Sequence, residues 1–235
     1  MNGTTSGHSH ELHNLHDLAG ISTPRGPIRP GRLFRSANPD NLSPSGWHEL
    51  HEYGIRTVVD LRNDYELADA THRPEHLTIL RRPIEDQSDS AFMAVWGDRL
   101  GSPEYYPEVL RLWPELVSSA VAAVADAPPG GVLMHCMAGR DRTGMMTAIL
   151  LELVGVDREG IFADFARSVR EINEWWRIHG GPNGSQTDDE LAVFLAEAKL
   201  TMNAFLDVLD GRNYLLHAGV TPRQLERIVS RLVDA

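Results

Sequence analysis

The 235-residue chain contains one cysteine, Cys136. A lone cysteine excludes an intramolecular disulfide, fits a reducing compartment and leaves the thiol free for chemistry. Positive charge is also scarce: 22 Lys and Arg face 33 Asp and Glu, for a formal net charge of -11. General nucleic-acid binding neutralises phosphates with Lys and Arg, so this balance argues against it. Affinity for an anionic ligand would have to be built locally. The N-terminus, MNGTTSGHSHELHNLHD, lacks the basic start and apolar stretch of a secretory signal. No run approaches the roughly 18 apolar residues that span a membrane. These absences read as a cytoplasmic protein, with export that needs no signal peptide left open. What the chain does have is 42% hydrophobic residues, enough for a sizeable core. Its length suits one α/β domain or at most two small ones. We read residues 1–235 as one domain, with 1–10, rich in Gly, Ser, Thr and His, expected to be mobile.

Punctuation along the chain places the elements. Ser43 and Pro44 start a helix that Gly54 ends. Residues 56–61 (RTVVDL) and 78–84 read as strands, and 131–136 (GVLMHC) as a third, buried strand. Asn63 and Glu66 form a capping box for a short helix. Residues 85–104 are polar and broken by Gly and Pro, and read as a long loop over one face that controls access. Helices are expected at about 105–126, with Pro107 and Pro114 blurring its start, then at 143–154 and 158–178. Two more open at Thr187 and Thr221, each with a capping-box partner three residues on. Strands alternating with helices predict an α/β fold: a central, mostly parallel sheet flanked by helices, with extra C-terminal helices packed on it. Ligands of such sheets bind beyond the carboxyl ends of the strands.

The informative stretch is HCMAGRDRTG, residues 135–144, between a buried strand and an apolar helix. A tight loop there turns successive N–H groups inward as an anion nest. The helix N-terminus adds partial positive charge. Met137, Ala138, Gly139, Arg140, Asp141, Arg142 and Thr143 are the expected substrate-binding residues. Gly139 lets the backbone turn. Arg142 can grip two phosphate oxygens with its planar fork. Cys136 lies at the mouth of the nest, where the field that binds phosphate also stabilises a thiolate. Such a thiolate attacks phosphorus to form a phosphocysteine. Thr143 could donate to the sulfur as it leaves, and His135 holds the loop. Free cysteines are more often small core residues. That reading does not explain Arg142 six positions on, Gly139 between them, or the strand–loop–helix context.

A His-Cys pair, five residues, then Arg-Thr resembles the signature of protein tyrosine phosphatases and their dual-specificity relatives. More closely, the chain is similar to the bacterial tyrosine and dual-specificity phosphatases, a group that includes a secreted mycobacterial enzyme acting on phosphotyrosine and phosphoinositides. The likeness extends to NLHDLAG at 14–20, PGRLFRSANPDNLSPSGWHEL at 30–50, GIRTVVDLRNDYE at 54–66 and YLLHAGVTPRQLERI at 214–228, and is loose at 85–130 and 180–212. It implies a cysteine-phosphatase fold and phosphate monoester hydrolysis without cofactor or metal. Close relatives have Lys where this chain has Arg140, and the family ties that Lys to substrate choice, lipid phosphates included.

The leaving oxygen needs a proton, and one carboxyl can serve as acid and then base. Asp60 is the first choice, because it ends a strand as Cys136 does and its DLR segment carries the family's usual acid. Asp141 is the rival; its other role is to hold the loop. Asp86 and Asp89 are further candidates. Trp113-Pro114-Glu115 superficially resembles the acid loop of larger tyrosine phosphatases but reads better as a proline near a helix start. Arg35 and Ser36 match the family's Arg-Ser and either line the site or, for Arg35, bridge to a core carboxylate. Arg62 and Glu66 read as structural. His8, His10, His13 and His16 have metal-binding spacing but read as incidental. Trp175 and Trp176 are expected to divide between core and substrate rim. Phosphorylated proteins are the first substrate class expected, then phosphoinositides. The alternatives are a small phosphorylated metabolite such as a nucleotide or sugar phosphate and, from another class, a phosphate-binding module without turnover. A rhodanese-like sulfurtransferase gives no reason for Arg142-Thr143.

Overall fold

The computed structural model describes residues 11–67, 74–181 and 184–234. Residues 1–10, expected to be mobile, lie outside these. Five strands form one sheet: β1 (His16–Asp17), β2 (Leu33–Ser36), β3 (Ile55–Asp60), β4 (Thr78–Arg81) and β5 (Gly131–His135). Their order is β1-β2-β5-β3-β4, and every pair is parallel except β1 with β2. Central β5 alternates between two cores: Val132 and Met134 face one, Leu133 the other. On one face lies α1 (Pro44–Glu52), whose Trp47 and Leu50 cover Phe34, Ile55 and Val58. The opposite, larger core takes in α3 (Tyr106–Leu112), α4 (Pro114–Asp126), α5 (Asp141–Leu153), α6 (Arg158–His179), α7 (Asp188–Val208) and α9 (Pro222–Leu232). The fold is thus the helix-flanked, mostly parallel α/β sheet expected from the sequence.

Local signals behave as read at α1, where the Ser43 side chain accepts from Gly46 N–H, and at the capping boxes of α7 and α9. Three differences have physical causes. The 85–104 segment is not a continuous loop: α2 (Ser90–Trp96) forms within it, capped by Asp89, which accepts from the N–H groups of Ala91 and Phe92 at 2.9 and 3.0 Å. Phe92 is the buried residue of that short helix, its ring 4.8 Å from Trp113, and Met93 and Trp96 pack partly buried against the same core. The helix expected over 105–126 divides at Trp113 (φ -131°, ψ 52°), because a residue followed by proline avoids the helical region. That places Pro114 at the start of α4, as the sequence suggested. Two strands went unread: β1 is too short for a pattern, and β2 carries a charge, Arg35, where a strand core would be apolar. In addition, β4 ends at Arg81 rather than running on to Ile84, and α8 (Gly211–His217) forms where the sequence pattern marks no element.

Candidate active site

The carboxyl ends of β2, β3 and β5 converge, and the loop 136–140 leaves β5 there to enter α5. Its shape follows from where its carbonyls go. Met137 C=O accepts from Asn38 N–H at 2.9 Å, and Ala138 C=O from Asn14 Nδ2 at 2.9 Å. Gly139 C=O accepts from Arg35 Nη2 at 2.7 Å and from Ser168 Oγ at 3.1 Å. Asp141 C=O accepts from Tyr106 Oη at 2.9 Å. With carbonyls held from outside, the N–H groups are left to the inner side. Among the described residues no hydrogen bond is donated by the backbone N–H of Met137, Ala138, Gly139 or Arg140. That is the arrangement of an anion nest next to a helix N-terminus.

Gly139 has φ +68°, and a Cβ there would lie 2.1 Å from the Ser36 carbonyl oxygen and 2.6 Å from Ala37 N. Strain and backbone overlap both oppose any side chain. Gly139→Ala is expected to cost about 3 kcal/mol, read as a lower urea midpoint at unchanged m-value. An unshifted midpoint would contradict this loop geometry.

Cys136 is buried at the floor of a cleft of about 470 Å³. Arg142, Asp141 and Arg140 share its wall, with Met137 and Ala138. Segment 85–101 forms the far side through Glu85, Gln87 and Leu100. Arg142 donates from both Nη atoms to Glu66, the Nη2–Oε1 contact being 2.7 Å, and its Nε lies 3.4 Å from Glu85 Oε1. Burial works against its charge, but Glu66, Cys136 and Glu85 hold it firmly protonated. Asp141, in the first turn of α5, accepts from Arg140 Nε at 3.0 and 3.2 Å. The Arg140 guanidinium also lies 5.3 Å from the Trp176 ring and 6.0 Å from Phe194. Thr143 is fully buried, and its hydroxyl has no partner among the described residues. His135 is buried beneath the loop with Nδ1 3.0 Å from the Cys136 carbonyl oxygen.

The first-choice acid, Asp60, lies outside the cleft lining. It is 1% exposed. Its Oδ1 accepts from Arg62 N–H and Nε at 3.1 and 2.9 Å, and its Oδ2 from Arg62 Nη2 at 2.7 Å. Burial alone would raise its pKa, yet the Arg62 bonds and nearby His135 hold it below the ordinary carboxylate value. Asp60 ends β3 beside Cys136 as expected, but Arg62, two residues on, folds back and claims both oxygens. Of the acid candidates named from the sequence, Asp141 is the one that lines the cleft, alongside the carboxyls of Glu85 and Asp98. Asp86 and Asp89 do not line it; Asp86 closes a turn on Ser88 and Asp89 caps α2.

Arg35 is a bridge rather than a wall: fully buried, it pairs with Asp164 on α6 while holding the loop carbonyl. Trp176 is at the cleft rim, whereas Trp175 stacks on His13 at 4.1 Å. His16 bonds Glu171 at 2.6 Å, so His13 and His16 are both engaged. His8 and His10 lie outside the described residues. Sequence reasoning missed Asn14 and Glu85. Asn14 falls in a quoted family segment and has φ +54°, a backbone state its residue type tolerates, but nothing local marks Glu85.

The chain matches the model of the tyrosine phosphatase family over residues 8–234. It is 30% identical over 187 residues to triple specificity protein phosphatase PtpB of Mycobacterium tuberculosis, covering 66% of each chain. To a tyrosine-protein phosphatase of Nostoc commune it is 29% identical over 146 residues, 60% of this chain and 49% of that one. This chain therefore spans less than two thirds of the length of these relatives. Among solved structures, TpbA of P. aeruginosa in complex with pTyr aligns over 81% of this chain and 87% of its own, with TM-score 0.40 and 19% identity. A family match that runs from the N-terminal segment to the last helix, through the loop that carries Cys136, makes this chain a member of the tyrosine phosphatase family.

Proposed function

We propose that the chain hydrolyses phosphate monoesters through a phosphocysteine, with phosphotyrosine in proteins as the first substrate class. The observation that carries this is the shared cleft wall of Cys136, Arg142 and Asp141 beneath unclaimed loop N–H groups. The Cys136 thiolate attacks phosphorus while Arg142 and the loop hold the equatorial oxygens. The bond to the leaving oxygen breaks, and Asp141 gives that oxygen its proton. Water then attacks the phosphocysteine and returns its proton to Asp141. The sulfur departs as thiolate and inorganic phosphate leaves; the buried Thr143 hydroxyl, without a partner among the described residues, is the proposed donor to that sulfur. Charge stabilisation comes from Arg142 and the loop, so these steps call for no metal or cofactor. A nucleophilic thiol works in a reducing compartment, which supports action in the cytoplasm. Helices α6, α7 and α9 share the core of α5, which supports one phosphatase domain over residues 1–235.

An aromatic ester fits the walls. Met137 is 47% exposed at the mouth, and Tyr105, Leu100 and Trp176 line the sides. Arg140 is already engaged by Asp141 and Trp176, which leaves less of it for the second phosphate of a phosphoinositide. Phosphoinositides therefore rank second and small phosphorylated metabolites third. Phosphate release by the wild type and Cys136→Ser tests this, on phosphotyrosine, phosphoserine and phosphothreonine peptides, phosphoinositides, and nucleotide and sugar phosphates. The expected result is fastest turnover of the phosphotyrosine peptide and no turnover by Cys136→Ser. A lipid or metabolite winning tenfold or more would overturn the substrate class. An active Cys136→Ser would overturn the chemistry.

A further inference from the structure

Glu85 has no part in the reaction above, yet it lies at the cleft with its side chain completely buried. Its Oε1 is 3.4 Å from Arg142 Nε and accepts from Gln87 Nε2 at 2.5 Å. Its Oε2 is buried without a partner. Buried carboxylate oxygens ordinarily have donors, so an empty one asks for an explanation. The surroundings sharpen the question. Glu66 from the turn after β3, Asp141 from α5 and Tyr105 from the turn before α3 all act on Glu85, as does Arg142, which Cys136 also faces. Tyr65 reaches it through Gln87, donating to Gln87 Oε1 at 3.2 Å. Here two guanidinium groups, Arg140 and Arg142, meet three carboxyls and a thiol: Glu85, Glu66, Asp141 and Cys136. A phosphate monoester adds about two more negative charges.

We propose that Glu85 is a positioning residue that must be a neutral carboxylic acid when the phosphate binds, and that its ionisation withdraws Arg142 from the substrate. This rests on the phosphatase reading above. As a neutral acid, Glu85 leaves the Nε edge of Arg142 to the phosphate and can turn its O–H toward the cleft. As a carboxylate it competes for that edge and repels the incoming dianion. Burial pushes the Glu85 carboxyl up to about 7 despite the opposing pull of Arg142. The group is thus neutral below that value and ionised above it, so anion binding weakens as pH rises.

The test uses sulfate, which does not titrate in this range, on Cys136→Ser, which removes the thiolate. Calorimetry in buffers of different ionisation enthalpy counts protons taken up on binding. About half a proton or more is expected at pH 7.5, and Kd for sulfate is expected to weaken about tenfold from pH 6 to pH 8. Adding Glu85→Gln, or Glu85→Met if the first variant folds poorly, should abolish the uptake and flatten the pH dependence. In the otherwise intact enzyme, Glu85→Gln should shrink the ratio of kcat/KM at pH 6 to that at pH 8 by about tenfold on an aryl phosphate. No proton uptake, or an identical pH dependence without Glu85, would overturn the proposal. If no ester is hydrolysed but sulfate still brings a proton that depends on Glu85, the phosphatase reading fails and the linkage survives.

Discussion

Asp141→Asn is expected to lower kcat by about 10²–10⁴ on esters with a poor leaving group, such as a phosphoserine peptide or an alkyl phosphate. On an aryl phosphate with a nitro-stabilised leaving group the loss should nearly vanish, because that oxygen departs without a proton. A positional effect would lower both substrates alike, so the dependence on leaving group isolates the acid. Asp60→Asn should behave in the opposite way. Its carboxylate is buried and shared with Arg62, which also pairs with Asp40 at 2.8 Å. Replacing it is expected to cost about 2 kcal/mol of stability, with activity changed equally on both esters. The sign of the pH dependence follows from its depressed pKa. The stabilisation is full above the unfolded value, about 3.9, and lost as pH falls through the folded value. The gap between wild type and Asp60→Asn in urea should therefore close under acid conditions. If Asp60→Asn shows the leaving-group signature and Asp141→Asn does not, the acid assignment reverses.

Arg35→Ala is the second large effect. Removing one partner of a fully buried ion pair leaves Asp164 uncompensated, at a cost of about 3–5 kcal/mol. It also deprives the Gly139 carbonyl of its 2.7 Å donor. A loop released by a fraction of an ångström is expected to lose about 10²-fold in kcat/KM. The double variant Arg35→Met, Asp164→Leu separates the two consequences. Replacing both charges with apolar groups of similar size should restore most of the stability, because desolvation no longer has to be offset. Activity should stay low, because no donor returns to the loop. Recovery of both together would show that Arg35 acts through stability alone.

The chemistry of this chain was legible where it is encoded by neighbours. Cys136, Gly139 and Arg142 occur within seven residues, and strand, turn and helix signals frame them, so the loop and its candidate nucleophile are legible directly. The same holds for α1, α7 and α9, whose caps lie three residues from their partners. Elsewhere a single local contact outweighs the pattern: the Asp89 cap and buried Phe92 make a helix of a polar stretch, and Pro114 divides a helix that periodicity would continue. The carboxyls around the cleft show a further limit. Position at the end of β3 pointed to Asp60, but whether a carboxyl faces substrate depends on which cation reaches it first, and Arg62 takes both its oxygens. The sequence by itself determined the candidate nucleophile, the loop and the parallel α/β frame, since each is a local pattern of residue types. Only the tertiary structure decided what holds the loop carbonyls and which carboxyls surround Arg142. Asn14, Arg35, Glu66 and Glu85 reach the site from segments far apart in the chain, and burial and pairing arise only once those segments meet.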